Sequence, residues 1–371
     1  MKGTRTTGNP IKPAIVGTGL IALDVVVNTA SAVEPQIFTG GTCGNVMTIL
    51  SYLGWHSVPV SRLRNDSIAK LLVDDLTVWG VDTSHVSRTR DGSTPVIFET
   101  IRELTDGTRT HSFSTRCPCC GDYLPGYKSI LGNSTAETAS LLRNHQVYFF
   151  DRATRGTINL AKASAAQGSL VFFEPSGLGE PRLFEEAWSL SHIVKYSNER
   201  LRDIADIGLG TQSNENVILE IETLGASGLR YRSKLKSGHL SGWKMLGVIP
   251  ARMVKDTAGS GDWCTAGLIN KLGRGGLVSL KKISNDRLKE AFRYAQALAT
   301  WNCGFDGARG GMYRVTKVQF DRQVKRLLEG KMIHEVFDEP KSLPEDARKV
   351  CPSCESVDFS KRKISRRRSV S

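Results

Sequence analysis

The sequence predicts an α/β fold built on a mostly parallel β-sheet. Short apolar runs alternate with helix-like segments, and these runs are β-branched or aromatic without polar alternation, as expected of strands buried on both faces. The runs are 14–16, 147–150, 170–173, 193–194 and 217–219, and the helix-like segments include 46–53, 158–166 and 288–300. This order predicts right-handed βαβ units and a sheet covered by helices on both sides.

One early region departs from this alternation and predicts a β-hairpin. Within residues 94–113, the runs 96–101 and 109–113 flank a turn at Asp106-Gly107. Two strand-like runs joined by a glycine-containing turn are typical of a hairpin. In an α/β chain such a hairpin is suited to act as a lid.

Composition and charge limit the class of protein. The chain has 371 residues, 40% hydrophobic and 23% charged, which is enough for one large α/β domain or two smaller ones. Its formal net charge is +13, from 50 Lys and Arg against 37 Asp and Glu. Part of this charge lies at 361–368, which we interpret as a solvated tail, with contact to nucleic acid or an acidic partner as the alternative. The remaining basic balance suits anionic substrates such as nucleotides.

The sequence also predicts a cytoplasmic protein. The apolar run 14–23 is interrupted by Gly17-Thr18-Gly19 and followed directly by Asp24, so it does not resemble an export signal. No run of eighteen apolar residues is present, which predicts that nothing spans a membrane. In a reducing compartment, the eight cysteines are expected to be thiols or metal ligands rather than disulfides.

The segment Asp256-Thr257-Ala258-Gly259-Ser260-Gly261-Asp262 carries the strongest chemical signal. Gly259 and Gly261 can adopt backbone conformations closed to other residues and let a phosphate approach the peptide N–H groups. The residues after Asp262 predict a helix, whose N-terminal N–H groups and dipole favour an anion. A carboxylate there could accept the proton of an attacking hydroxyl group. Taken alone, the same residues also fit an ordinary glycine turn that caps a helix.

A second glycine cluster, Gly40-Gly41-Thr42-Cys43-Gly44-Asn45, precedes the predicted helix 46–53. With Asp24 at the close of the first predicted strand, and with the segments 106–110, 223–228 and 256–262, it forms an ordered set of motifs. Over residues 13–325 this set resembles the ribokinase family, the PfkB-type carbohydrate and nucleoside kinases. The resemblance implies a three-layer α/β sandwich with a mostly parallel central sheet and a small β lid.

The resemblance implies two groups of residues around the acceptor. The catalytic base and the anion hole for the γ-phosphate are Asp262 with Gly259, Ser260 and Gly261. The positions that hold the acceptor's hydroxyl groups are Asp24, Gly40, Gly41 and Asn45. Short polar side chains and bare backbone are suited to a polyol. The implied acceptor is a furanose-like sugar or a nucleoside, phosphorylated on an exocyclic hydroxymethyl group.

The resemblance also implies ATP and Mg²⁺ as cofactors. The positions that accommodate the nucleotide are Asn198, Thr223, Gly225 and Gly228. Asp256 and Thr257 lie where many relatives bind a monovalent cation such as K⁺, and this role varies within the family. Neither a membrane nor a nucleic acid is an expected partner, and a homodimer stays open.

The sequence departs from the family pattern at three places. The family's N-x-x-E element has its glutamate three residues after the asparagine, where this chain has Leu201. The stretch 61–69 keeps only Asp66 of a usually glycine-rich element, and Trp263-Cys264 replaces a small residue and a phenylalanine. Two hypotheses follow: an ATP-dependent kinase of a sugar or nucleoside hydroxymethyl group, and a catalytically impaired protein of this fold that binds ligands or acts as a scaffold.

Two cysteine motifs lie outside these elements. Cys117-Pro118-Cys119-Cys120 follows the predicted hairpin, and Cys351-Pro352-Ser353-Cys354 lies near the C-terminus. Each is a C-P-x-C knuckle, and Cys117, Cys120, Cys351 and Cys354 would supply the four thiolates of a structural Zn²⁺ site. The separation of the two motifs far exceeds the spacing within one zinc ribbon. Reduced thiols in two unrelated turns, or a redox pair, therefore stay as alternatives.

These observations predict four segments along the chain. An N-terminal tail at 1–12 precedes a ribokinase-like kinase domain at 13–330, whose lid hairpin lies near 94–113. A C-terminal extension with the second cysteine knuckle occupies 331–355, and a basic disordered tail follows at 356–371. Bound zinc would attach the extension to the base of the lid.

Overall fold

The computed structural model describes residues 12–28, 36–103, 109–118, 120–132, 138–139, 142, 144–201, 215–235, 238–251, 253–331, 351 and 353. The strands of this part of the chain are β1 (Ala14–Thr18), β2 (Ala22–Asn28), β3 (Gln36–Gly40), β4 (His56–Arg64), β5 (Val86–Thr89), β6 (Val96–Glu103), β7 (Arg109–Ser114), β8 (Val147–Phe150), β9 (Leu170–Phe173), β10 (Ile193–Ser197), β11 (Leu219–Thr223), β12 (Leu229–Ser233) and β13 (Lys244–Leu246). The helices are α1 (Thr42–Tyr52), α2 (Ser67–Val78), α3 (Arg155–Ala166), α4 (Pro181–Leu190), α5 (Ser260–Leu272), α6 (Gly276–Lys281), α7 (Asn285–Asn302), α8 (Gly310–Arg314) and α9 (Lys317–Leu328), with a 3₁₀ turn at Gly225–Ser227.

The larger sheet contains nine of these strands in the order β13-β12-β11-β10-β9-β8-β1-β4-β5. From β11 to β5 the neighbouring strands run parallel, and β12 and β13 add an antiparallel edge. This order confirms the predicted mostly parallel sheet. Strand β1 lies between β8 and β4, and ligands of open α/β sheets bind outside the carboxyl ends of strands where the order changes direction in this way.

Both faces of the larger sheet are buried, which explains why its strands lack polar alternation. Phe149 and Phe172 belong to an apolar cluster that includes residues of α1, α5, α7 and α9. Phe150 and Phe173 belong to a second cluster with residues of α3 and α4, and their rings stack with centroids 4.5 Å apart. The result is a three-layer α/β sandwich, as the resemblance implies.

The smaller sheet has the strand order β3-β2-β6-β7 and corresponds to the predicted lid. Strands β6 and β7 pair antiparallel, which confirms the predicted hairpin. The turn predicted at Asp106-Gly107 lies outside the described residues. An apolar cluster joins this sheet to helix α2 through residues such as Leu23, Phe98 and Leu72.

Asp24 lies in β2 of the smaller sheet. The expectation that it closes the first strand is therefore wrong. Strand β1 ends at Thr18, and Gly19 turns the chain with φ +148°. A Cβ atom at Gly19 would lie 1.9 Å from Oδ1 of Asp151, so only glycine fits there. The apolar run 14–23 is therefore divided between the two sheets.

Helix α1 begins at Thr42, four residues before its predicted start, so the glycine cluster lies partly inside the helix. Gly41 precedes it with φ +79°, and a Cβ atom there would lie 2.5 Å from the carbonyl oxygen of Leu20. The N–H of Gly44 donates to the same carbonyl at 3.0 Å. This contact outweighs the low helix propensity of glycine. Among the described helices, none combines the length and apolar character needed to cross a membrane.

Candidate active site

Helix α5 presents Asp262 in its first turn, directly after a left-handed glycine. Gly259 precedes the helix with φ +71°, and a Cβ atom on it would lie 2.3 Å from the carbonyl oxygen of Ala308. The first helical hydrogen bond runs from the N–H of Trp263 to the carbonyl of Gly259 at 2.9 Å. Backbone N–H groups in the first turn of a helix have no intrahelical partner, so this loop is suited to an anion.

The carboxyl group of Asp262, the predicted general base, has a pKa near neutrality. Desolvation by the surrounding protein, reinforced by Glu174, raises its pKa to about 7. The side-chain amide of Asn45 donates to Oδ2 of Asp262 at 2.7 Å and opposes this shift. A carboxylate with this pKa can take a proton from a hydroxyl group in the transition state and release it to water afterwards.

A buried ion pair between Lys195 and Glu174 contacts the glycine loop before Asp262 and was not predicted from the sequence. Nζ of Lys195 donates to Oε1 of Glu174 at 2.5 Å, and the two side chains are only 2% and 8% exposed. Thr265 of α5 donates to the second Glu174 oxygen at 2.5 Å. Nζ of Lys195 also donates to the carbonyl of Gly261 at 3.3 Å, so the pair contacts the predicted anion hole directly. The available signal was a charged residue beside each of the apolar runs 170–173 and 193–194.

The residues predicted to bind the acceptor lie together beside Asp262. A Cβ atom on Gly40 would lie 1.7 Å from Oδ2 of Asp24, so the bare backbone at Gly40 makes room for this carboxylate. Gly41 hydrogen-bonds Asp24 through its backbone. Oδ1 of Asp24 and Oδ1 of Asn45 are both buried and, among the described residues, have no hydrogen-bond partner. Two such oxygen atoms fit the hydroxyl groups of a polyol, because a buried acceptor without a partner is costly.

The carboxyl group of Asp24, like that of Asp262, has a raised pKa. Burial raises the pKa of the Asp24 carboxyl group to about 7, while the guanidinium of Arg309 and the N–H of Gly41 act to lower it. Arg309 is itself 1% exposed and donates to Oδ2 of Asp75 at 2.9 Å. The sequence analysis did not identify Arg309 as a site residue, because it lies in an irregular glycine-rich segment after α7.

Asp151 is a second residue that the sequence analysis missed. It follows strand β8, is fully buried, and accepts hydrogen bonds from the N–H groups of Leu20 at 3.2 Å and of Cys43 at 3.1 Å. Burial raises its pKa. The carboxylate connects the end of β1 to the start of α1, and so fixes the position of Asn45. The acidic residue after the apolar run 147–150 was the available signal.

Asp256 and Thr257, the predicted monovalent-cation positions, shape the loop before α5. The Asp256 carboxylate accepts from the N–H of Ala258 at 2.9 Å and from the N–H of Gly307 at 2.8 Å. The Thr257 carbonyl accepts from the N–H of Ser260 at 3.2 Å. Glu99 of the lid lies beside Asp256, and burial, together with Asp256 and Asp24, raises its pKa to about 9. Cation binding here stays a prediction.

The residues predicted to accommodate the nucleotide lie at the carboxyl ends of β10 and β11. The N–H of Asn198 donates to the carbonyl of Thr223 at 3.1 Å. Gly225 begins the following 3₁₀ turn with φ +55°, and Gly228 follows it with φ +94°. Leu201, at the position of the family's glutamate, is 4% exposed and packs in the apolar cluster with α4.

The chain is similar in sequence or in fold to known sugar and nucleoside kinases. No protein-family model matches the sequence. Probable fructokinase-7 of Arabidopsis thaliana is 27% identical over 327 residues, which cover 82% of this chain and 91% of that protein. The structure of Arabidopsis thaliana ribokinase complexed with ribose and ATP matches with a TM-score of 0.61 at 19% identity, over 86% of this chain and 99% of that one. The Burkholderia thailandensis nucleoside kinase in complex with inosine matches with a TM-score of 0.61 at 17% identity, over 84% and 97%.

The three-layer sandwich, the small lid sheet and the glycine-capped helix that carries Asp262 define a ribokinase-like fold. In sequence and in fold the chain is similar to the PfkB-type carbohydrate and nucleoside kinases of the ribokinase family, in agreement with the resemblance of its motifs.

Proposed function

We propose that this protein transfers the γ-phosphoryl group of ATP to a hydroxymethyl group of a furanose-like sugar. The observation that carries the proposal is the contact between Asn45 and Asp262. It joins a base with a pKa of about 7 to a buried side chain whose single oxygen, Oδ1, has no hydrogen-bond partner among the described residues. A substrate hydroxyl bound to Asn45 Oδ1 would therefore lie close to the carboxylate.

The proposed mechanism assigns each group a physical task. Oδ1 atoms of Asp24 and Asn45 accept hydrogen bonds from ring hydroxyl groups and orient the acceptor. Asp262 takes the proton of the attacking hydroxyl group. The hydroxyl oxygen bonds to the γ-phosphorus while the bond from the γ-phosphorus to the β,γ-bridging oxygen breaks, and ADP leaves. The first-turn N–H groups of α5 and the backbone at Gly259 and Gly261 stabilise the charge on the transferring group.

ATP and Mg²⁺ are the cofactors this proposal requires. Asn198, Thr223, Gly225 and Gly228 are assigned to the nucleotide, because they gather at the strand ends where ligands of open α/β sheets bind. Mg²⁺ prefers oxygen ligands and usually keeps several waters and phosphate oxygens, so it needs few protein ligands. Both Glu174 oxygens already accept hydrogen bonds from Lys195 and Thr265, and Asp262 is assigned as the base, so Mg²⁺ would be held chiefly by phosphate oxygens and water. When bound, Mg²⁺ would neutralise charge on the phosphates.

A sugar is favoured over a nucleoside by the relatives. The similar plant protein at 27% identity is described as a probable fructokinase, whereas the nucleoside kinase resembles this chain at 17% identity. A ketohexose in its furanose form is therefore the first acceptor to test. The geometry of Asp24 and Asn45 suits any acceptor with neighbouring ring hydroxyl groups, so ribose and nucleosides belong in the same panel.

The second candidate function is a ligand-binding or scaffold protein with impaired turnover. It is favoured by Leu201, which packs in the core where the family's N-x-x-E element has a glutamate. Such a protein would bind ATP or a sugar without producing ADP.

One experiment separates these functions. ADP release from Mg·ATP is measured with fructose, ribose, other sugars and nucleosides, with an acceptor-free reaction as the baseline and the Asp262→Asn variant as the catalytic control. Acceptor-dependent ADP release that is lost in the variant supports the kinase. Binding of ATP and sugar by calorimetry without any turnover supports the scaffold and contradicts the kinase.

A further inference from the structure

Three cysteine side chains come together at the edge of the lid, far from Asp262 in the sequence. The Sγ atoms of Cys117, Cys120 and Cys351 all lie within 4.8 Å of one another. Cys120 and Cys351 are 231 residues apart in sequence, and their sulfur atoms are 3.7 Å apart. The fold therefore joins the two C-P-x-C motifs that the sequence separates.

The sulfur spacing fits a tetrahedral metal site. Zinc–thiolate bonds are about 2.3 Å long, and the edge of a tetrahedron is about 1.63 times the centre-to-vertex distance, so two thiolates on one zinc ion lie about 3.8 Å apart. The observed 3.7 Å between Cys120 and Cys351 agrees with this value. A disulfide requires a separation of about 2.05 Å, which is much shorter.

The backbone around Cys117 forms a tight turn that carries Cys117 and Cys120. The N–H of Gly121 donates to the Cys117 carbonyl at 3.0 Å, and the N–H of Cys117 donates to the Asp122 carbonyl at 2.8 Å. Gly121 has φ +79°, a conformation that favours glycine. The turn therefore fixes the backbone at Cys117 and Cys120 without a bound ion, which lowers the entropic cost of binding one.

The Arg116 side chain also supports this turn. The Arg116 guanidinium donates to the Gly121 carbonyl at 3.0 Å and lies 3.7 Å from the centre of the Tyr123 ring. Two or more thiolates in mutual contact would repel each other without an ion between them.

Burial shows what the cluster connects. Cys117 and Cys351 are each 2% exposed and belong to the apolar cluster that includes Phe98 of β6 and Leu124. Cys351 comes from the predicted C-terminal extension, whereas Cys117 follows the lid strand β7. An ion at this point would link the extension to the base of the lid, as a closed structural zinc site links distant segments.

We propose that Cys117, Cys120 and Cys351 bind a structural Zn²⁺ ion that fastens the C-terminal extension to the lid. The sequence offers Cys354 as the fourth thiolate through its C-P-x-C spacing, and this residue lies outside the described residues. The proposal does not depend on the proposed kinase function, because none of these cysteines belongs to the Asp262 site. A protein without zinc would therefore not contradict the kinase proposal, and a protein without turnover would not contradict the zinc proposal.

The first test measures metal in the full-length protein purified without added metal or chelator. We expect about one zinc ion per chain by elemental analysis, released when the thiolates are titrated with a mercurial reagent. Cobalt exchanged into the same protein should give the thiolate charge-transfer and d–d bands of a tetrahedral sulfur site. This measurement uses the unmodified chain, so it does not depend on a variant that folds. Absence of both stoichiometric zinc and the cobalt spectrum would overturn the proposal.

The second test compares matched cysteine variants. Cys351→Ser should lower the zinc content from about one ion per chain to near zero and increase cleavage of the extension by a protease. Cys303→Ser is the control, since Cys303 lies outside the cluster and its replacement should leave the zinc content unchanged. Full zinc in Cys351→Ser, or a Cys120–Cys351 disulfide found by thiol counting under non-reducing conditions, would contradict the proposal.

Discussion

The side-chain amide of Asn45 donates a hydrogen bond to the Asp262 carboxylate at 2.7 Å, across 217 residues of sequence. Asn45 lies in the first turn of α1 and Asp262 in the first turn of α5, so two helix N-termini meet at one point. The dipoles of both helices favour negative charge there. This arrangement connects the predicted acceptor site with the predicted phosphate site.

The first prediction concerns the base. Asp262→Asn preserves the size of the side chain but removes the proton acceptor, so kcat should fall by about 10²- to 10⁴-fold. Binding of ATP should persist, because the nucleotide residues lie elsewhere. Steady-state kinetics and calorimetry measure the two quantities. Asp74→Asn, on the exposed surface of α2, is the control, and a wild-type kcat in Asp262→Asn would exclude the proposed role.

The second prediction concerns the acceptor. In Asp24→Ala the sugar hydroxyl loses its buried hydrogen-bond partner, which at about 1–3 kcal/mol corresponds to an increase of about 5- to 150-fold in the KM for the sugar. The KM for ATP should stay within about twofold, since Asp24 lies on the lid side of Asp262. The two constants are measured separately with the other substrate saturating. Equal losses for both substrates would mean that Asp24 does not bind the acceptor.

The third prediction is a pH profile with a defined sign. The pKa of Asp262 and that of Asp24 are both raised to about 7, and both carboxylates act in their ionised form. Therefore log kcat/KM for the sugar should fall as pH decreases through 7, with a slope between one and two. At saturating sugar, log kcat should fall with a slope of about one, because only Asp262 then affects the rate. Asp262→Asn should abolish the slope in kcat. A rate independent of pH between 5 and 8 would contradict this assignment.

Whereas kcat/KM should rise with pH, the contribution of these carboxyl groups to the free energy of unfolding should decrease. A folded-state pKa above the unfolded value means that the folded protein binds the proton more tightly, so this contribution to stability is present at low pH and lost as pH rises through the folded pKa. For Asp262 and Asp24 the loss extends from pH 3.8, the ordinary pKa of the group, to about pH 7, and for Glu99 it extends from pH 4.5 to about pH 9. Glu99→Gln should therefore stabilise the protein more at pH 9 than at pH 6, as measured by urea unfolding at both values. Equal effects at both pH values would be inconsistent with a raised pKa.

The fold was predictable to the extent that its core strands are buried on both faces. The runs 147–150 and 170–173 coincide with β8 and β9, because residues such as Phe149 and Phe150 both need apolar surroundings. Strand β12 was not predicted, since its inward-facing Leu229 and Tyr231 alternate with arginines and the pattern is too short to distinguish from a loop. Local sequence cannot show which sheet such a strand joins.

The site was predictable residue by residue but not as a set of contacts. Asp262 and Asn45 were identified from glycine motifs, because bare backbone is needed close to a ligand. The Lys195–Glu174 pair was not, since each residue is an isolated charge in the sequence and their contact is set by the parallel pairing of β9 with β10. The same holds for Cys117 and Cys351, whose motifs were recognised while their proximity depends on the fold.

The fourth prediction tests the buried pair beneath the loop. Lys195→Met leaves Glu174 without its cation, which should lower the free energy of unfolding by about 3–5 kcal/mol. The double variant Lys195→Met with Glu174→Gln removes the buried charge and should recover most of that loss. Its kcat should still be about 10- to 100-fold below wild type, because the Gly261 carbonyl has lost the Lys195 donor that positions the loop. A double variant with recovered stability and wild-type kcat would show that the pair is only structural.

The last prediction uses two glycines at helix ends as a matched pair. Gly259 and Gly54 both have positive φ, +71° and +91°, so alanine at either position costs about 1–2 kcal/mol of backbone strain. They differ in their surroundings, because a Cβ atom at Gly259 would lie 2.3 Å from the Ala308 carbonyl, whereas nothing lies within 4 Å of one at Gly54.

Gly54→Ala should therefore lose about 1–2 kcal/mol of stability and keep its kcat/KM. Gly259→Ala should lose more stability and, since the loop before α5 must shift away from Ala308, about 100-fold in kcat. Urea unfolding and steady-state kinetics on the two variants provide the comparison. If Gly259→Ala folds with the same stability loss as Gly54→Ala and retains full kcat, the loop does not have to hold the reacting phosphoryl group in a fixed position, and the anion-hole assignment is wrong.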